Sequence, residues 1–143
     1  MVDNLTKTQR SYCMSRVKSK DTLLEQRVRS ELHRRGYRFR KHVSYLPGKP
    51  DIVFPSQKVV IFIDGDFWHG WLYPQWRETV SPFWQKKIER TRERDQKNFR
   101  KLRGMHWKVI RIWQHQIEKN FAGVIDRIIV LLPPHAMEKV DKG

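Results

Sequence analysis

Cysteine is nearly absent from this 143-residue chain, which has one such residue, Cys13. A single thiol excludes a disulfide within the chain and a zinc site built from cysteines. Long apolar segments and a recognisable secretory signal are also lacking. We therefore expect a cytoplasmic protein that does not insert into a membrane. Cys13 has no obvious base beside it and is interpreted as an incidental thiol.

Acidic residues are the second deficit. Fifteen Asp and Glu stand against thirty Lys and Arg, which gives a net charge of +15 and a pI near 10.4. The excess is spread along the chain, with twelve basic and four acidic residues in 1–42 and nine and three in 82–103. A folded chain this basic usually binds a polyanion, most often nucleic acid. An anionic membrane is the weaker alternative because no basic amphipathic anchor is present.

No internal repeat, low-complexity segment or long Pro/Gly/Ser linker divides the sequence, and its length is typical of one domain. We predict a basic N-terminal arm at 1–20, with a short helix at Thr8–Val17, a folded domain at 21–133 and a polar tail at 134–143. The predicted elements follow the order α, β, β, β, loop, α, β, α. This order indicates a single α/β domain.

The first helix of the domain places an acidic residue beside its buried face. Asp21 is a good N-cap, Gly36 offers a stop, and apolar residues recur between them at Leu24, Val28 and Leu32. Glu25 lies one position, about 100°, from that apolar stripe. It therefore flanks the buried face rather than pointing cleanly to solvent.

Four strands and two further helices complete the predicted domain. The strands are expected at Tyr37–Val43, Asp51–Phe54, Val59–Ile63 and Trp107–Trp113. The helices are expected from a Ser81 N-cap and Pro82 to about Arg103, and over Phe121–Leu132 before Pro133 and Pro134. Residues 64–81 are predicted to form a loop, and its aromatic residues are Phe67, Trp68, Trp71, Tyr73 and Trp76.

Two carboxylates are expected to meet at one edge of the sheet. Asp51 starts one predicted strand and Asp64 terminates the next. Such hard oxygen ligands suit Mg²⁺, which beside a phosphodiester can activate water and neutralise developing charge. His69 could act as a general base or donate to the phosphate. Glu25 could orient that histidine or a metal-bound water.

Each of these residues can also be explained by a structural role that involves no catalysis. Asp51 can be a strand-start residue, Asp64 part of a turn dipeptide with glycine, and His69 a hydrogen-bonded loop residue. Glu25 and Asp95 can be ion-pair partners on basic helices, and the loop aromatics can be core. The charge of +15 favours the catalytic interpretation, because most of the alternatives do not require it.

Ordered blocks of sequence carry a resemblance to a known family. LPGKPD at 46–51 is followed by VVIFIDGDFWHG at 59–70, PFWQKKIERTRERD at 82–95 and GMHWKVIRIWQH at 104–115. Together with RSYCMSRVKSKDTLLEQRV at 10–28, they resemble the very-short-patch repair (Vsr) endonucleases. A Pro-Asp pair alone would be a weak signal, whereas these blocks in this order are specific.

The resemblance implies a fold, an activity and partners. The fold would be a PD-(D/E)xK-like nuclease core with a mixed central sheet flanked by helices. The activity would be Mg²⁺-dependent nicking of one strand of duplex DNA, at or near T:G mismatches in mismatch repair. We expect a monomer associated with the bacterial nucleoid, with mismatch-repair proteins as further partners.

The resemblance also assigns site residues, position by position. Those of the catalytic site are the metal ligands Asp51 and the backbone carbonyl of Ile63, the general base His69, and the supporting carboxylates Glu25 and Asp95. Asp64 joins them as a metal ligand because it is expected to meet Asp51 at the sheet edge. Those that match DNA-wedging aromatics are Phe67, Trp68 and Trp84, and Lys86 and Lys87 are expected to contact phosphates. Wedging unstacks a base step, which costs least where pairing is already poor.

One feature of the family is missing from this sequence. Vsr enzymes commonly carry a structural zinc held by cysteines and histidine in and after the FWH loop. The first of those cysteine positions is Asp66 here, and residues 70–73 contain no ligand-type side chain. We therefore expect no structural zinc, and we expect packing of Trp71, Tyr73 and Trp76 to hold the loop. The alternative is a loop that stays mobile until DNA binds.

Two other functions stay open at this point. A nuclease of the same fold could serve restriction, homing or defence. A catalytically silent DNA-binding module could use only the basic helix and the aromatic residues. The joint presence of Glu25, Asp51, His69 and Asp95 argues against the silent module.

Overall fold

The apolar run that ends at Asp64 forms an interior strand of the sheet in the computed structural model, which describes residues 22–132. This strand, β3 (Val59–Asp64), pairs antiparallel with β2 (Ile52–Phe54) and parallel with β4 (Lys108–Trp113). β1 (Arg40–Lys41) pairs antiparallel with β2 and completes a four-stranded mixed sheet in the order β1-β2-β3-β4. The predicted fold class is confirmed.

Helices cover both faces of this sheet. They are α1 (Leu23–Arg34), α2 (Tyr73–Trp76), α3 (Pro82–Gly104), α4 (Gln114–Lys119) and α5 (Phe121–Ile129), with a 3₁₀ turn at Arg77–Thr79. Alternate residues of a strand face opposite sides of a sheet. Val59 and Ile61 accordingly pack into a core with α1, α4 and α5, and Val60 and Phe62 into a second core with α3. A strand buried on both faces reads as the continuous apolar run seen in the sequence.

The helix ends differ from the sequence prediction in detail. Thr22 is the N-cap of α1, and its Oγ1 accepts from the Glu25 N–H at 3.2 Å, whereas the predicted cap Asp21 lies outside the described residues. Ser81 occupies the N-cap position of α3, but its side chain makes no capping hydrogen bond. The last helix ends at Ile129 rather than Leu132.

Two short helices were not predicted, and one strand is shorter than predicted. α2 lies within the predicted 64–81 loop, and α4 follows β4 directly. Of the predicted strand at 37–43, two residues pair, because β2 begins only after Asp51 and offers them few partners. The first three strands pair antiparallel in chain order and thus form a meander.

Several predictions fall outside the described residues: the arm at 1–20 with its helix at Thr8–Val17, Cys13, the helix stop at Pro133 and Pro134, and the tail at 134–143. Within residues 22–132, no helix is both long and apolar enough to cross a bilayer.

Candidate active site

The LPGKPD turn fixes Asp51 beside the end of β3. Gly48 in that turn has a φ of +79°, and a Cβ there would lie 3.0 Å from Phe62 Cε1, so glycine alone fits without strain. The backbone N–H of Asp51 donates to the Ile61 carbonyl at 3.0 Å, and its Oδ2 accepts from the Ile63 N–H at 2.6 Å. The Asp51 carboxylate is therefore both buried and held in one position.

The electrostatic environment of Asp51 disfavours its negative charge. Burial raises the pKa of Asp51 to about 8, against the lowering effect of the Ile63 N–H. The carboxylates of Glu25 and Asp64 raise the pKa further, and Arg29 lowers it. A cation bound at this carboxylate would offset the cost of burying its charge.

Glu25 and His42 complete a first cluster of ligand-type atoms. Glu25, on α1, is buried, and its Oε2 lies 3.1 Å from His42 Nε2 and 3.5 Å from Arg29 Nη1. One ligand atom each from Glu25, His42 and Asp51 lies within 4.8 Å of the others. Two carboxylates and an imidazole form a donor set that fits a divalent ion.

Asp64, His69 and Asp95 form a second cluster. His69 Nδ1 lies 2.7 Å from Asp95 Oδ2, and its Nε2 lies 3.4 Å from Asp64 Oδ1. The His69 backbone N–H donates to the Gly65 carbonyl at 3.1 Å, which folds the loop back over the strand end. Asp95, from α3, is thus the carboxylate that orients His69. Glu25, which the sequence suggested for that role, pairs with His42 instead.

Arg111 of β4 joins both carboxylates of the second cluster. Its Nε donates to Asp64 Oδ2 and its Nη2 to Asp95 Oδ2, each at 2.7 Å. The guanidinium lies 4.2 Å from the ring centre of Trp113 and 5.1 Å from that of Phe99. A planar cation with two carboxylates and two aromatic faces is rigidly held.

These partners offset only part of the cost of burying the Asp64 charge, and the pKa of Asp64 stays raised. Burial raises the pKa of the Asp64 carboxyl, while His69 and Arg111 lower it. As a metal ligand Asp64 stays a prediction, and both of its carboxylate oxygens already contact a basic side chain. The Ile63 N–H points at Asp51, and in a strand the carbonyl of the same residue points to the same side. The backbone of Ile63 thus faces the first cluster.

The predicted DNA-wedging aromatics lie together beside the second cluster. Phe67 and Trp68 are partly exposed, and each ring meets Trp84 edge-to-face at 5.7 Å. Trp84 itself is buried, so in this structure it supports the two exposed rings. Phe83, which the sequence prediction missed, is 59% exposed and contacts Trp84 at 5.2 Å.

The two predicted phosphate-contacting lysines lie on the exposed surface of α3. Lys86 and Lys87 are both exposed. The ammonium of Lys87 lies 5.2 Å from the Phe83 ring centre and 5.7 Å from that of Trp68. Positive charge and aromatic rings therefore lie side by side at the start of α3.

Side-chain packing holds the 64–81 loop, as the sequence analysis favoured. The Trp71 ring lies 5.0 Å from Trp113 and 4.7 Å from His115, and the Trp76 Nε1–H donates to the Trp71 carbonyl at 2.7 Å. Asp66, at the first cysteine position of the family's zinc site, has its Oδ1 2.9 Å from His115 Nδ1. These contacts tie the loop to the segment that follows β4.

Three polar residues of the site region were missed at the sequence level: His42, Arg111 and His115. Arg111 did carry a signal, because an arginine inside the apolar run WKVIRIW must find a partner when the strand is buried. His42 and His115 carried none. Each acquires its role only from a residue far away in sequence, Glu25 or Asp66.

Comparison with known proteins identifies the family. A family model described as DNA mismatch endonuclease Vsr matches residues 2–75. The Type II nicking enzyme V.XorIIP of Xanthomonas oryzae pv. oryzae is 44% identical over 119 residues, covering 82% of this chain and 88% of that protein. The chain belongs to the Vsr family.

Other relatives agree with this assignment. The Type II nicking enzyme V.NmeDIP of Neisseria meningitidis serogroup C is 38% identical over 83% of this chain and 82% of its own length. The DNA mismatch endonuclease Vsr of Escherichia coli is 35% identical over 80% of this chain and 74% of its own length. The chain is therefore a DNA endonuclease, as the sequence predicted.

Proposed function

We propose that this Vsr-family endonuclease nicks one strand of duplex DNA at or near T:G mismatches, in a Mg²⁺-dependent reaction that serves mismatch repair. The observation that carries the proposal is the convergence of Asp51, Glu25, Asp64, His69 and Asp95 at one end of β3. The names of the relatives support its two parts, since one is called a mismatch endonuclease and others nicking enzymes.

Asp51 is the first ligand that we propose for Mg²⁺, with the backbone carbonyl of Ile63 beside it. A bound Mg²⁺ would neutralise charge on the phosphate and lower the pKa of a coordinated water. Asp64, also predicted as a ligand, could join only by exchanging a contact with Arg111 or His69. One Glu25 carboxylate oxygen lies within 4.8 Å of a ligand atom of Asp51, so Glu25 is the further carboxylate that we propose for the same ion.

His69 is the proposed general base. In the proposed general-base form, His69 donates its Nδ1–H to Asp95 at 2.7 Å and keeps a lone pair on Nε2, and Arg111 is then the cation that offsets the charge of Asp64. His69 Nε2 can take the proton of the attacking water, and the Asp95 carboxylate then stabilises the imidazolium. Arg111 holds Asp95 in the position that this tautomer requires.

Mismatch preference follows from the aromatic surface. Phe67 and Trp68 stand on the buried ring of Trp84, with Phe83 exposed beside it. Inserting such rings unstacks a base step, which costs a few kcal/mol at a paired step and less at a mismatch. Lys86 and Lys87 would anchor the flanking phosphates on the same surface.

The deciding experiment incubates the full chain and Mg²⁺ with labelled duplexes that carry T:G, another mismatch or full pairing. We expect one strand of the T:G duplex to be cut, with EDTA stopping the reaction and added Mg²⁺ restoring it. Asp51→Asn should abolish nicking and keep DNA binding.

Each other outcome points to a different function. Equal cutting of all duplexes would refute mismatch specificity and favour a restriction, homing or defence nuclease. No cutting of any duplex, with binding intact, would favour a silent DNA-binding module. We further propose that the enzyme acts as a cytoplasmic monomer without structural zinc, which size measurement and metal analysis of the purified protein would test.

A further inference from the structure

We propose that His42 binds the divalent ion directly through an imidazole nitrogen, so that Glu25, His42 and Asp51 form a single ion site. The proposal deepens the metal-dependent nicking proposed above and rests on it for its catalytic meaning. Its geometric basis is separate: three donor atoms lie within 4.8 Å of one another at the end of β3.

The spacing of these atoms suits one octahedral ion. Ligands at about 2.1 Å from an ion put adjacent donors about 3 Å apart and opposite donors about 4.2 Å apart. His42 Nε2 and Glu25 Oε2 lie 3.1 Å apart, the separation of adjacent ligands. One oxygen of the Asp51 carboxylate lies within 4.8 Å of both, so a bound ion would draw the three donors together from this spacing.

A backbone hydrogen bond holds His42 beside Asp51. His42 has a φ of +49°, a left-handed conformation that asparagine, aspartate and histidine adopt more readily than most side chains. Its N–H donates to the Asp51 carbonyl at 3.1 Å, which ties this residue to the proposed ligand. The result places the imidazole against Glu25, where it is largely shielded from solvent.

The second cluster holds its guanidinium more tightly than the first, where Arg29 Nη1 lies 3.5 Å from Glu25 Oε2. Arg111 already contacts Asp64 and Asp95, and it is held between the rings of Phe99 and Trp113. A divalent ion there would have to displace a guanidinium with two carboxylate partners. We therefore expect one ion per chain, with Arg111 as the fixed positive charge of the second cluster.

A nitrogen ligand also predicts a metal preference. Imidazole suits first-row transition metals, whereas Mg²⁺ prefers oxygen ligands and dehydrates reluctantly. The protein should therefore bind Mn²⁺ more tightly than Mg²⁺, and the imidazole of His42 should account for most of that difference.

The test uses Mn²⁺ as the probe on the full chain without DNA. Titration followed by electron paramagnetic resonance gives the number of ions, and electron spin echo modulation detects a coordinated imidazole ¹⁴N. We expect one Mn²⁺ and a ¹⁴N signal that His42→Asn abolishes. His42→Asn should also lower Mn²⁺ affinity about tenfold or more. Asparagine tolerates the left-handed conformation, so this variant removes the imidazole while keeping the backbone.

His69→Gln is the matched control, because it removes the imidazole of the second cluster. A ¹⁴N signal that survives His42→Asn, or that disappears in His69→Gln, would overturn the proposal, as would two equivalent ions. The result is independent of nicking. If the wild-type protein shows the ¹⁴N signal of His42 but cuts no duplex, the proposed function is refuted and this inference stands. If the wild-type protein nicks the T:G duplex but shows no ¹⁴N signal, this inference is refuted and the proposed function stands.

Discussion

The carboxylate of Asp51, the proposed metal ligand, is buried at a cost to the stability of the fold. Its side chain is buried next to Glu25, and without an ion the pKa of Asp51 stands at about 8 instead of 3.8. Between these two values the folded state keeps a proton that the unfolded state has lost. The free energy of unfolding contributed by this group therefore falls as the pH rises from about 4 to 8.

The first prediction concerns the stability of the metal-free protein. Asp51→Asn retains an oxygen that can accept from the Ile63 N–H but carries no charge. The free energy of unfolding of this variant should therefore not fall with pH on account of residue 51. In EDTA, the variant should melt at an increasingly higher temperature relative to wild type as the pH rises from 4 to 8. Above pH 8 the difference in melting temperature should stay constant. Thermal melts across this range measure it. A difference in melting temperature that does not change with pH would show that the charge of Asp51 does not lower the free energy of unfolding.

Among single residues, those of the candidate site that belong to recognisable motifs could be predicted from the sequence. Asp51, Asp64 and His69 stand in blocks that the family resemblance identified. His42 could not be found in this way, since its role depends on a contact with Glu25, seventeen positions earlier in sequence. Such a contact exists only once α1 packs against the sheet.

Secondary structure elements were predictable where their periodicity extends over enough residues. α1, α3 and the three longer strands, β2 to β4, follow from apolar spacing and from turn residues at their ends. α2 and α4 have four and six residues, too few for a helical period to be read. The excess length predicted for the strand at 37–43 has another cause, because propensity does not reveal how short its partner β2 is.

The second prediction tests how α3 holds the 64–81 loop. Gly70 has a φ of +72°, and a Cβ there would lie 2.8 Å from Arg92 Cδ and 3.0 Å from Ile88 Cγ2. Gly70→Ala should therefore lower the free energy of unfolding by about 1–3 kcal/mol. It should also reduce nicking, because the shifted loop carries His69.

Gly104→Ala is the matched control for this prediction. A Cβ at Gly104 meets nothing within 4 Å at the end of α3, so the exchange should be neutral or stabilise the fold by up to about 1 kcal/mol. Denaturant titration of both variants gives the comparison. Equal effects of the two exchanges would mean that the approach of the loop to α3 is not close.

For the whole molecule, the charge of +15 matters most in the approach to DNA. Each phosphate neutralised by a lysine or arginine releases counterions, so affinity falls with salt in proportion to the number of contacts. Lys86 and Lys87 lie near the aromatic surface at the start of α3, whereas Lys97 and Lys101 are exposed further along the same helix.

The third prediction uses these two pairs of lysines. Replacing Lys86 and Lys87 by glutamine should reduce the slope of log affinity against log salt by up to about 2, at about 0.9 per lost phosphate contact. The same exchange at Lys97 and Lys101 should leave the slope nearly unchanged. Fluorescence anisotropy with a T:G duplex at several salt concentrations measures both. Equal slopes for the two double variants would show that DNA does not bind preferentially at the start of α3.

The contact between Asp66 and His115 has a practical consequence for handling the enzyme. The 64–81 loop is held by side-chain contacts, including the Trp71 ring against His115, so we expect its shape not to depend on the proposed ion. Chelation should therefore act as a reversible off switch that leaves the fold intact. Complexes with DNA could be assembled in EDTA, stored, and triggered together by adding the ion, which would give synchronous single-turnover reactions.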